Sequence, residues 1–228
     1  MACDPRTNQG YVPSFPEHER LASLSFASCY VYSPRGTGVV SQGSRLMCER
    51  VKHSDPLWLP RYAGSVLELA ERYGYFRGVF KGAPILVPIP GSESLDNVPW
   101  AAAHLAEALR VLGLARATWI ALQRRFSVRK SSQAPAGRRP TVHEHYQSFR
   151  VGTRSSDSPE KIVLIDDVIT KGRTLFAAAA RLQVALPHAE IRGFALIRTL
   201  GYLQRLDRLI APCEGVVYWA GGDARREP

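Results

Sequence analysis

The stretch KIVLIDDVITKGRTLFAAAA, Lys161 to Ala180, decides how this chain is read. Its apolar run, Ile162-Val163-Leu164-Ile165, is what a strand buried on both faces of a parallel sheet requires. Two adjacent carboxylates, Asp166 and Asp167, follow where that strand is expected to end. A short turn comes next, Thr170-Lys171-Gly172-Arg173-Thr174, and then an alanine-rich segment predicted as a helix from Leu175 to Leu186. Carboxylates at a strand's C-terminal edge can face vicinal hydroxyls. A glycine-containing turn that opens a helix offers backbone N–H groups and the positive helix end to a phosphate. Together these features suit a ribose 5-phosphate. An Asp-Asp pair alone fits a solvated strand end equally well; the combination over about a dozen positions favours a binding site.

The rest of the chain is consistent with one enzyme-sized α/β unit. It has 228 residues, and 45% of them are hydrophobic, enough for a full core. No run of eighteen apolar residues occurs, so no membrane span is expected. The N-terminus, MACDPRTNQGYVPSF, lacks a basic start followed by an apolar stretch and does not read as a secretory signal. Residues 1–20 are expected to form a flexible arm and residues 21–228 a single domain, with an N-terminal hairpin at about 24–55. Cys3, Cys29, Cys48 and Cys213 form no C-x-x-C pair. A zinc ribbon is therefore not expected, and free thiols in a reducing cytoplasm are.

The expected elements alternate. Phe26–Tyr32 and Thr37–Gln42 read as hairpin strands about the Ser33-Pro34-Arg35-Gly36 turn. Val66–Tyr75 reads as a helix, with Val66, Leu67, Leu69, Ala70 and Tyr73 facing inward. Ile85–Ile89 is a short strand. Asp96 is placed as the cap of a helix reaching about Leu112, with Ala102, Leu105, Ala106 and Leu109 buried. Ala117–Leu122 and Ile191–Ile197 read as strands. Strands separated by such helices give a parallel sheet, whose ligands bind at the strand carboxyl ends.

Two further segments carry candidate anion contacts. In VPIPGSES, Val87 to Ser94, the residues Pro90, Gly91 and Ser92 follow a strand, and their backbone N–H groups can meet an anion. The net charge is +10, and Arg124, Arg125, Arg129, Lys130, Arg138 and Arg139 crowd into one predicted loop. The C-terminal part adds Arg198, Arg205, Arg208, Arg225 and Arg226. Such an excess fits a polyanionic small substrate or nucleic acid. His143, Glu144 and His145 fall in the same loop, and the two histidines are expected to be solvated rather than metal ligands.

The Lys161–Thr174 segment resembles the phosphoribosyl-pyrophosphate (PRPP) motif of type I phosphoribosyltransferases: a hydrophobic strand, two acidic residues, two mostly apolar residues, then a Thr/Ser/Gly loop. Lys171 stands where many members carry Thr. The order of segments from about Leu57 to Thr199 is most similar to the ComF-type branch, without that branch's N-terminal zinc ribbon. There an Arg-rich stretch, a Gln and another Arg precede an aromatic-ended strand, in the order of Arg124, Arg125, Gln133, Arg138 and Tyr146–Val151 here. The resemblance implies a type I phosphoribosyltransferase-like parallel sheet with a basic hood loop. It implies that Asp166 and Asp167 hold the ribose hydroxyls, with Mg²⁺ at or near them. Val168, Ile169, Thr170, Lys171, Gly172, Arg173 and Thr174 would bind the ribose 5-phosphate, with Thr170 through Thr174 at the phosphate. Pro90, Gly91, Ser92, Arg124, Arg125 and Arg138 would hold pyrophosphate. The implied activity is displacement of pyrophosphate at the anomeric carbon. A non-catalytic PRPP or nucleotide sensor, and a nucleic-acid-associated protein in DNA uptake or defence, stay open. So do the acceptor and assembly as a homodimer or with a partner protein.

Overall fold

The apolar run at Ile162 continues further than expected. It forms part of β6, Lys161–Ile169. Ile162 and Leu164 enter one core, and Val163 and Ile165 enter the other, on the opposite face of the sheet. This is the two-residue period of a strand, and it explains why all four side chains are apolar. The computed structural model describes residue 15 and residues 21–92, 100–130, 138–152, 159–201 and 205–228.

In chain order, β1 (Ser23–Tyr32) is followed by α1 (Val39–Lys52), α2 (Leu59–Tyr73) and the single turn α3 (Arg77–Phe80). Then come β2 (Ile85–Pro88), α4 (Ala101–Val111), β3 (Ala117–Thr118), β4 (Leu122–Arg124), α5 (Val142–Ser148) and β5 (Phe149–Val151). After β6 follow α6 (Arg173–Ala185), β7 (Glu190–Thr199), β8 (Ile210–Ala220) and β9 (Asp223–Glu227). Seven strands make the central sheet in the order β3-β2-β6-β7-β1-β8-β9. The first five are mutually parallel; β8 runs antiparallel to β1, and β9 to β8. The protein is thus an α/β fold with a mostly parallel sheet flanked by helices. Strands β4 and β5 form a separate antiparallel pair.

Helices α1 to α4 cover one face and α5 and α6 the other. The stripe Ala102, Leu105, Ala106, Leu109 of α4 is buried as its spacing predicts. Helix α2 begins at Leu59, with Pro60 in its first turn, and ends at Gly74 in the left-handed conformation, φ 73°. Its buried stripe is Leu59, Ala63 and Val66; Tyr73 lies exposed. Asp96 lies outside the described residues, and Trp100 occupies the N-cap of α4. Among the described residues no helix is long and apolar enough to cross a membrane.

Four expectations are corrected. The second hairpin strand is the start of α1: Met47, Cys48 and Val51 recur at helical spacing, whereas Val39, which suggested a strand, is 85% exposed. Strand β1 instead pairs with β7 and β8 inside the main sheet. The Ala117–Leu122 strand divides into edge strand β3 and, after a break, β4. The Tyr146–Val151 strand begins only at Phe149, because α5 precedes it. That helix is closed by a capping box in which Thr141 and Glu144 satisfy each other's backbone N–H groups. The C-terminal hairpin was not anticipated. Its two-residue turn, Gly221-Gly222, has φ of 60° and 79°, the twist that a tight hairpin needs.

Most of the expected arm lies outside the described residues, but Phe15 is docked. It is 1% exposed, with ring centroids 5.0 Å from Tyr146 and 5.4 Å from Trp219. Truncating it leaves a cavity between α5 and β8. Phe15→Ala is expected to lower unfolding stability by about 3 kcal/mol or more, measured by urea denaturation. A loss below about 1 kcal/mol would mean that the ring is not part of the core.

Candidate functional site

The order of the strands places a topological switch point at one edge of β6. From β2 the chain crosses to β3 on one side; from β6 it crosses to β7 on the other. The carboxyl ends of β2 and β6 therefore flank a switch point, where open α/β sheets leave room for a ligand. Pairing of β2 with β6 stops at Pro88 opposite Ile165, with one more bond from Ile89 N–H to Ile165 O at 2.9 Å. Strand β6 runs on to Ile169 with only β7 beside it. Its unpaired edge begins at Asp166.

Both sequence-predicted segments meet here. Asp166 and Asp167 are half-buried within β6 rather than beyond its end. The Asp167 N–H donates to Asp166 Oδ1 at 3.0 Å, and the Val168 N–H donates to Asp167 Oδ1 at 2.9 Å. Burial, and then the neighbouring Asp167 carboxylate, raise Asp166 well above the usual carboxylate range; the charge of Arg124 opposes them. On the β2 side, Pro90 is buried, and Gly91 and Ser92 are half-buried. A Cβ on Gly91 would meet nothing within 4 Å, so this turn borders open space. The indole N–H of Trp100 holds the strand end by donating to Ile89 O at 2.6 Å.

The loop after β6 is more constrained than its composition suggests. Thr170 and Lys171 are exposed. Gly172 is the N-cap of α6 with φ 82°, and a Cβ there would lie 2.7 Å from Val217 Cγ2. Glycine is thus required by conformation and by close packing on β8. The side chain of Arg173 is engaged within the protein. Its Nε and Nη2 donate to the two oxygens of Asp223, each at 2.6 Å, and its Nη1 donates to Pro140 O at 3.0 Å. Lys171 Nζ lies 3.4 Å from Asp223 Oδ2. Burial works against the charge of Asp223, but the bonds from Arg173 outweigh it and hold the carboxyl below its usual range. Arg226 fastens the far side, donating to Thr199 O at 2.8 Å and Ile169 O at 3.3 Å. The hydroxyls of Thr170 and Thr199 are 3.2 Å apart.

Arg124 is also reassigned. It is 8% exposed, and its Nε donates to Gly91 O at 2.9 Å. Its Nη1 donates to Ser148 Oγ, its Nη2 lies 3.3 Å from His145 Nδ1, and its guanidinium sits 4.0 Å from the Phe149 ring centroid. It is a fixed wall residue, not a mobile hood charge. Arg125 and Arg138 are exposed and carry the hood expectation alone. His145, expected in a solvated loop, is 4% exposed within α5. Burial, reinforced by Arg124 and Arg173, lowers its pKa to about 3. Away from the crevice, Cys29 and Cys48 are free, with thiols pushed up by burial to about 12 and about 11. Both are inert at neutral pH.

Asp223, Arg226, His145 and Trp100 are site residues that sequence reasoning did not assign. The Gly221-Gly222 turn between alternating strands was a signal for the hairpin that carries Asp223 and Arg226. No local pattern links Trp100 to Ile89 or His145 to Arg124.

No protein-family model matches the chain, and no curated protein matches it. Gly172→Ala is expected to lower the melting temperature, and adding Val217→Ala should restore only part of the loss, because the left-handed strain remains. Full recovery in the double variant would assign the whole effect to the clash with Val217. Asp166 provides a second prediction. A carboxyl raised in the folded state contributes stability below its unfolded value, near 3.8, that is lost as pH rises through its folded value. Asp166→Asn is therefore expected to raise the melting temperature at pH 7–8, with the gain shrinking toward pH 4. A variant less stable than wild type at pH 7.5 would contradict this.

Proposed function

We propose that the β2–β6 crevice binds PRPP or a nucleotide sharing its ribose 5-phosphate, and that the chain is a phosphoribosyltransferase-like protein. The observation that carries this reading is that two anion-binding candidates of the sequence lie side by side at one switch point: Pro90-Gly91-Ser92 after β2 and Asp166–Thr174 on and after β6. In this reading Asp166 and Asp167 accept hydrogen bonds from the ribose hydroxyls. The hydroxyls of Thr170 and Thr174 and the free N–H groups opening α6 hold the 5-phosphate. The side chain of Arg173 supports the loop, and its backbone N–H is among those that face the phosphate. Pyrophosphate lies toward Gly91 and Ser92.

The Asp pair also bears on Mg²⁺. Among the described residues no group of three His, Cys, Asp or Glu side chains converges. Two carboxylates suit a Mg²⁺ held largely by ligand phosphates and water, the usual arrangement for that ion, rather than an all-protein cage. Bound there, Mg²⁺ would neutralise charge on the pyrophosphate. The protein's own part is to fix the 5-phosphate at one end and the ribose hydroxyls in the middle, which holds the anomeric carbon in place for an incoming nucleophile. As the bond to pyrophosphate breaks, the carboxylates face the developing positive charge of the ring.

Calorimetric titration tests this reading. Wild-type protein with Mg²⁺ is expected to bind PRPP and ribose 5-phosphate. The Asp166→Asn, Asp167→Asn double variant should lose about ten-fold or more in affinity for both, in line with weakened hydrogen bonds to charged groups, while keeping its fold. Unchanged affinities would remove the ribose from the Asp pair. Pyrophosphate release from PRPP with a panel of nucleobases then separates a transferase from a sensor. Tight, steeply salt-dependent binding of single-stranded DNA without PRPP binding would favour the nucleic-acid alternative.

A further inference from the structure

His145 occupies an unusual position for a buried histidine. It links a permanently charged arginine to a hydroxyl of the candidate phosphate loop. Arg124 of β4 approaches its Nδ1 at 3.3 Å, and Thr174 Oγ1, in the first turn of α6, lies 3.3 Å from its Nε2. Three elements distant in sequence contribute these groups. A guanidinium has donors only, so Nδ1 must accept. Burial and the charges of Arg124 and Arg173 hold the ring neutral, with a pKa of about 3. A neutral ring that accepts at Nδ1 carries its proton on Nε2. That N–H donates to Thr174 Oγ1.

Thr174 lies in the first turn of α6, so no helical turn before it takes the proton of its hydroxyl. Occupying an oxygen lone pair with the His145 N–H biases the rotor and leaves the Thr174 proton to be donated elsewhere. We propose that His145 is a positioning residue: through the Arg124–His145–Thr174 line it orients the Thr174 hydroxyl as a donor to the phosphate of the ligand in the crevice. This rests on the ribose-phosphate reading above. It also couples the two halves of the site, because Arg124 grips Gly91 O on the β2 side with its Nε. The chemical class concerned is a phosphomonoester dianion, which accepts hydrogen bonds but has none to donate.

The test has two arms. The first needs no ligand. A long-range ¹H–¹⁵N correlation spectrum of the histidine rings should show His145 with protonated Nε2 and bare Nδ1, unchanged from pH 5 to pH 8. A ring protonated on Nδ1, or one that titrates in that range, overturns the proposal. The second arm is a double-mutant cycle read by ribose 5-phosphate affinity. Thr174→Val is expected to weaken binding by about ten-fold or more, as for a lost hydrogen bond to a charged group, with Thr174→Ser close to wild type. His145→Leu should match Thr174→Val, and combining the two should cost little more. His145→Gln, which keeps an N–H near the Nε2 position, should recover part of the loss. Should His145→Leu not fold, the Thr174 variants and the His145→Gln cycle carry the test. Additive losses, or a Thr174→Val protein that binds as wild type, overturn the proposal. Wild-type protein that binds neither PRPP nor ribose 5-phosphate overturns the ribose-phosphate reading itself, and the role of Thr174 with it, whatever the ring spectrum shows.

Discussion

The burial of Arg124 is the constraint on which the candidate site depends. A guanidinium cannot shed its charge cheaply and is costly to remove from water unless its N–H groups find acceptors. Here the acceptors come from three places: Gly91 O beyond β2, and Ser148 Oγ and His145 Nδ1 on α5. The ring of Phe149 lies against its face. Satisfying one cation thus ties the turn after β2 to the helix that packs on α6. The segment from Arg124 to Val151, which composition alone marks as a charged loop, is in part a structured wall.

A second constraint comes from the opposite edge. The β8–β9 hairpin brings Asp223 to Arg173 and Lys171, and Arg226 to the carbonyls that end β6 and β7. Val217 packs where any side chain on Gly172 would have to go. The loop between β6 and α6 is therefore shaped before any ligand arrives. Such preorganisation reduces the ordering cost of binding. Asp166 is the contrasting case: its carboxyl is held where neither burial nor its neighbour favours charge, which is a cost to folding.

Local patterns made the parallel core and one stretch of the candidate site legible in the sequence. The run Ile162–Ile165 and the stripe Ala102–Leu109 have single sensible placements, since a strand buried on both faces and an amphipathic helix leave distinct periods. The Asp pair and the following glycine turn were legible because their chemistry is contiguous in the chain. Val39 and Val40 misled because two β-branched residues resemble a strand start, whereas tertiary burial of Met47, Cys48 and Val51 selects a helix. The side-chain partners of Arg124 and Arg173 were not legible in the sequence. Whether an arginine faces a ligand or a carbonyl depends on partners up to 50 positions away, such as Asp223 for Arg173. No local pattern encodes that.

The most direct measurement of the central claim is a residue-resolved one: amide ¹H–¹⁵N spectra of the labelled chain titrated with ribose 5-phosphate. Binding at the switch point predicts saturable shifts confined to Gly91, Ser92 and the segment Asp166–Leu175, with the amides opening α6 among the largest. Shifts confined to Arg125–Lys130 and the other exposed basic residues, or no saturable shift at Asp166–Leu175, would contradict the assignment of this crevice as a ribose-phosphate site.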